Sequence, residues 1–72
     1  MFYILTGRLG GPHAGMVRKT TIAYTRRDAL VYADKCMSRL DPGDWYPRSA
    51  DGHSICWVND DETSFVEVEQ PA

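Results

Sequence analysis

The sequence predicts an α+β fold: a small β-β-α-β-β domain, with one amphipathic helix packed on one face of a mostly antiparallel four-stranded sheet. Three observations predict it. β-forming residues dominate two segments before residue 25. The apolar period then lengthens to that of a helix over 25–40. Two short β-forming segments, separated by turn residues, close the chain. With 72 residues there is material for one small core, so 1–72 are read as a single domain.

The first segment, "FYILTGRL", carries β-formers at Phe2, Tyr3, Ile4 and Thr6. Its apolar side chains fall on both faces, which marks a strand central in its sheet or covered on both sides. "GGPHAG", residues 10–15, is a cluster of breakers and reads as a hairpin tip. "MVRKTTIAYT", residues 16–25, is a second strand with imperfect alternation, the pattern of an edge.

Over 25–40 the spacing changes. Thr25 is placed to cap a helix, with Asp28 three residues on as an acidic capping-box partner. Ala29, Leu30, Ala33, Cys36, Met37 and Leu40 recur at helical intervals and make a stripe about 120° wide. Tyr32 flanks the stripe, and Val31 falls nearly opposite it among charged residues. "DPG" at 41–43 stops the helix, because Pro42 cannot continue it. "SICWV", 54–58, and "TSFVEVE", 63–69, form a closing hairpin around "NDDE". In the last strand Val66 and Val68 point one way, and Phe65, Glu67 and Glu69 the other.

Between helix and hairpin, "DPGDWYPRSADGHSICW" gathers two tryptophans, a tyrosine, two prolines, a histidine and a cysteine. Residues 41–53 read as a connection without regular structure. Connections of that length are functional or disordered, and aromatics of this size seek cover. Trp45 and Tyr46 are expected to fold back over the helix end as a lid. Tyr46 and Arg48 are then the parts left to meet a partner.

Composition narrows the function. Hydrophobic residues at 43% and charged residues at 25% are the balance of a globular domain and not of a disordered chain. No apolar run nears the roughly 18 residues of a membrane span. The opening "MFYILTGRL" lacks a basic start and a small-residue cleavage site, so no secretory leader is expected. Two cysteines, Cys36 and Cys56, make no disulfide framework, and a cytoplasmic setting is expected. The formal net charge is −2, unevenly spread. Residues 1–27 hold Arg8, Arg18, Lys19, Arg26 and Arg27 and no acid. Residues 28–72 hold all ten acids against Lys35, Arg39 and Arg48.

Catalytic, cofactor and metal signatures are lacking in the sequence. His53 and Cys56 point to opposite faces of a strand, which keeps a thiolate and an imidazole apart. His13, Cys36, His53 and Cys56 stand on four separate elements without the local pairing of zinc ligands. "GRLGGPHAG" has neither the spacing of a dinucleotide fingerprint nor a P-loop lysine, and Asp60, Asp61 and Glu62 lack calcium-loop register. No enzyme, cofactor or metal site is therefore expected.

What remains is binding. Asp60, Asp61, Glu62, Glu67 and Glu69, with Phe65, make an acidic ribbon with no base. Together with Tyr46 and Arg48 these residues are the expected partner contacts. Such a ribbon suits a basic groove of the kind that holds nucleic acid, and a protein filling that groove acts as an inhibitor. In size, acidity and its one-helix-on-a-sheet makeup, the chain resembles small bacteriophage-encoded accessory proteins, anti-CRISPR inhibitors among them. The resemblance is one of type and implies no residue roles. Two alternatives stand beside this reading. The chain binds nucleic acid directly through Arg18, Lys19, Arg26, Arg27 and Tyr24, or it is a passive subunit that dimerises through an edge strand or through Val31 and Tyr32.

Overall fold

A computed structural model describes residues 1–10 and 17–70, with the side chains of 17–19 left aside. Most of the expected hairpin tip at 10–15, His13 included, lies outside the described residues. So do the side chains of Arg18 and Lys19 and the last two residues of the tail.

The elements run β1 (Phe2–Arg8), β2 (Val17–Ala23), α1 (Arg26–Leu40), β3 (Trp45–Ala50), β4 (Ser54–Asn59) and β5 (Ser64–Glu69). All five strands join one antiparallel sheet in the order β2-β1-β5-β4-β3. β1 lies between β2 and β5, the inner place its two-sided apolar pattern indicated, and β2 is an edge.

The fold is thus α+β with one helix on an antiparallel sheet, but the sheet has five strands and not four. The extra strand is β3, which occupies the segment read as an irregular connection. Pro47 obscured it. Proline cannot donate to a ladder, so it is tolerated on an edge strand or at a bulge. β3 is an edge, and its register against β4 slips between Pro47 and Ser49.

α1 starts as its sequence requires. The Thr25 hydroxyl accepts from the Asp28 N–H at 3.1 Å, and Asp28 meets the positive end of the helix. At the other end the Asp41 N–H donates to the Met37 carbonyl at 3.0 Å, with Asp41 in extended backbone.

The helix packs through its smallest residues. Ala29 and Ala33 are fully buried against Ile4, Val66, Val68 and Ala23. Phe2, Tyr32, Cys36, Met37, Trp45 and Trp57 close around that cluster. Two alanines let the helix axis approach the sheet closely, and branched Ile4 and Val66 fill the space beneath. Leu40, read as part of the stripe, is exposed because it stands at the end of the helix. Val31 is exposed, as its position opposite the stripe indicated.

A single helix cannot cover this sheet. Five strands about 4.8 Å apart span roughly 19 Å, whereas a helix with its side chains is about 10–12 Å across. α1 lies over β5, β1 and β2. On the β4–β3 wing the helix-side positions fall to Trp57 and Trp45. Among the described residues no helix lies against the opposite face of the sheet. That face carries Tyr3, Leu5, Ile22, Cys56, Val58, Phe65, Glu67, Glu69 and Tyr46 by register.

Candidate functional site

The helix C-terminus, the 41–44 turn and the β4–β5 turn meet at one end of the sheet, and carboxylates converge there. Asn59 holds them together. It is 3% exposed and uses both ends of its amide. The Oδ1 atom accepts from the N–H groups of Thr63 and Ser64, each at 2.9 Å. Its Nδ2 lies 3.1 Å from Asp41 Oδ2, 2.8 Å from Asp61 Oδ1 and 2.9 Å from Thr63 Oγ1. The Thr63 hydroxyl donates in turn to Asp61 Oδ1 at 2.8 Å.

The Asp41 carboxylate is shared between two segments. Its Oδ1 accepts from the Gly43 N–H at 2.8 Å, and its Oδ2 faces Asn59. Those donors hold its carboxyl below the usual carboxylate range, the Gly43 bond contributing most. The β4–β5 turn closes with the Glu62 N–H on the Asn59 carbonyl at 3.0 Å, and Glu62 sits in the left-handed region at φ 57°.

Tyr46 stands at the edge of this cluster, 49% exposed. Asp44 and then Asp60 push its hydroxyl above the ordinary tyrosine value, by their charge and by accepting hydrogen bonds from it. Asp41, Asp44, Asp60, Asp61 and Glu62 therefore form one acidic pole. The helix C-terminus adds partial negative charge to it.

The expected partner residues separate into groups. Asp60, Asp61 and Glu62 come together with Tyr46 at the pole. Glu67 and Glu69 do not join them, since they lie along the uncovered sheet face. Glu67 sits between Leu5 and Cys56, and Glu69 between Tyr3 and Ser54. Burial, then Glu69 and Asp51, raise the Glu67 carboxyl above its ordinary value. Phe65 shares that face but is only 9% exposed, with Gly7 and Val58 as its cross-strand neighbours. Little of its ring is offered to a partner. Arg48 is exposed at the β3 bulge, where its charge reaches Cys56.

Cys56 belongs to β4, and His53 to the turn before it. Burial, then Glu67, push the Cys56 thiol up, which leaves it protonated at neutral pH. His53 belongs to the β3–β4 turn, where its N–H and that of Ser54 donate to Asp51 Oδ1 at 2.6 and 2.8 Å. Both bonds lower the Asp51 carboxyl. Among the described residues no group of three or more His, Cys, Asp or Glu side chains is placed to hold a metal ion. Among them, too, no helix is long and apolar enough to cross a membrane.

Sequence reasoning missed Asp41, Asp44 and Asn59 as members of the site. Asp41 and Asp44 flank the helix stop, and Asn59 opens the turn, so each was visible as local punctuation. Their meeting across 18 positions of chain was not. No protein-family model matches the chain, and no curated protein or solved structure matches it either.

Proposed function

We propose that the chain is a non-enzymatic protein-binding module that docks its acidic pole on a basic surface of a nucleic-acid-handling protein. Occupying such a surface excludes nucleic acid from it, the mode of action of a small phage-encoded accessory inhibitor of the anti-CRISPR type. The observation that supports this reading is the meeting, at one end of the sheet, of Asp41 and Asp61 on Asn59 and of Asp44 and Asp60 on exposed Tyr46, with Glu62 in the same turn. Charge of one sign at one end steers encounter and selects partners. A tyrosine at the edge of such a patch supplies contact area at little entropic cost.

The test is capture from lysate of the source cell, with and without competing nucleic acid. The partner should be basic, and excess DNA or RNA should displace it. Charge reversal by Asp60→Lys and Glu62→Lys, which leaves the Asp61 acceptor of Asn59 and Thr63 in place, should abolish capture while the circular dichroism spectrum is kept. Capture that survives the reversal sinks the reading.

One observation favours direct nucleic-acid binding as a second reading. Tyr24 is 82% exposed, beside Arg26 and Arg27 at the start of α1. Bases stack on such rings, and arginines hold phosphate. Binding to single-stranded DNA that falls steeply with salt and is lost in Tyr24→Ala would favour it.

A further inference from the structure

Between the end of α1 and the uncovered β4–β3 wing lies an open groove of about 310 Å³. Its walls include Asp34 and Met37 on the helix, Asp41 and Asp44 in the turn, and Trp45 and Trp57 on the strands. Among the described residues no base lines it. Lys35 and Arg39 stand on the other flank of the helix, beside Tyr32 and Cys36.

We infer that this groove receives one arginine side chain of a partner protein, stacked on the indoles of Trp45 and Trp57 and directed at the carboxylates of Asp34, Asp41 and Asp44. The inference rests on the docking reading for the existence of a basic partner. It adds the contact through which that partner is held.

Four features carry it. Tryptophan offers the most favourable aromatic face for a cation. The Trp45 ring is already fixed, because its Nε1–H donates to the Asp41 carbonyl at 2.9 Å. The Asp41 carboxylate is likewise fixed and kept ionised by Gly43 and Asn59, so little order is lost on binding. The negative end of the helix opens on the same space. A planar guanidinium stacks on a ring while its edge donates to a carboxylate. A lysine ammonium offers no plane to stack, and an anion would meet three aspartates.

The test uses the full chain labelled with ¹⁵N. Capped arginine (N-acetyl-arginine amide) is titrated at constant ionic strength, with capped citrulline and capped lysine as controls. Citrulline keeps the shape and loses the charge. Arginine should shift both indole N–H resonances saturably, with a Kd on the order of millimolar. Lysine should bind several-fold more weakly, and citrulline should shift nothing. Asp34→Asn combined with Asp44→Asn should weaken arginine binding about tenfold. Both side chains are exposed and neither bonds to Asn59, so the fold should survive the change, with only the Tyr46 signals moving through Asp44.

Equal shifts with citrulline, or arginine shifts confined to Glu67 and Glu69, would overturn the assignment. A preference for lysine would overturn the choice of guanidinium. The two readings fail separately. Capped arginine that binds while charge reversal of the pole leaves capture intact removes the docking reading alone. Charge-dependent capture with silent indoles removes the groove alone.

Discussion

Replacing Asn59 by aspartate changes one group in a buried, fully bonded network and leaves its volume almost unaltered. The acceptor that receives the Thr63 and Ser64 N–H groups is kept. The amide that faces Asp41, Asp61 and Thr63 at 2.8–3.1 Å becomes an oxygen. Two donated hydrogen bonds vanish, at about 1 kcal/mol each. A third carboxylate also enters a site that is 3% exposed and already has two beside it. Like charges near 4 Å repel by about 4 kcal/mol at an effective dielectric of 20. Part of that is relieved by side-chain movement and by protonation. A net loss of about 3–5 kcal/mol at pH 7 is expected, comparable to the whole stability of a domain this small.

Asn59→Ala separates the charge from the lost bonds. It adds no carboxylate, but it removes the same donors and also the acceptor of the Thr63 and Ser64 N–H groups, and should cost about 3–4 kcal/mol at every pH. The pH dependence fixes the cause. In the folded Asn59→Asp chain the new carboxyl is pushed above its unfolded value, so the folded state holds more protons. Its deficit against the wild type should therefore shrink as pH falls from 7 towards 4, while that of Asn59→Ala changes much less. Urea unfolding followed by tryptophan fluorescence at several pH values measures both. A deficit of Asn59→Asp that stays constant from pH 7 to pH 4 would refute the reasoning.

Other substitutions test other parts of the structure. Glu62 occupies the left-handed region at φ 57°, so Glu62→Gly should stabilise the chain by up to about 1 kcal/mol in urea unfolding. Glu67 is raised by burial and by two neighbouring acids, so its ionisation opposes folding. Glu67→Gln should stabilise at pH 7 by less than about 1 kcal/mol, and the gain should disappear below the ordinary glutamate range, where the wild type also carries the proton. Asp51 has the opposite sign, because its carboxyl is lowered by the His53 and Ser54 N–H groups. Asp51→Ala should destabilise at neutral pH, and that loss should fade as pH falls through the folded carboxyl's range, checked by thermal melts. Thr25→Ala removes the helix cap and should cost about 1 kcal/mol, with helical circular dichroism lost earlier on heating.

The sequence by itself determined the elements whose cause is local. Thr25 and Asp28 start the helix, Pro42 forbids its continuation, and the alanines and Met37 between them recur at the helical period. Alternation at Val66 and Val68 set the face that β5 buries. Each signal lies within a few residues, so it survives without knowledge of neighbours. Tertiary structure decided what depends on which segments meet. β3 was hidden because Pro47 reads as a break until β4 stands on one side and open solvent on the other. The strand order, with β5 returning beside β1, follows from burial shared across the sheet and has no local marker. Asn59 reads as one more turn residue among four. Its amide joins Asp41 to Asp61 only because the helix end and the last hairpin arrive at the same edge, and hydrogen bonding acts over distances in space that chain position does not encode.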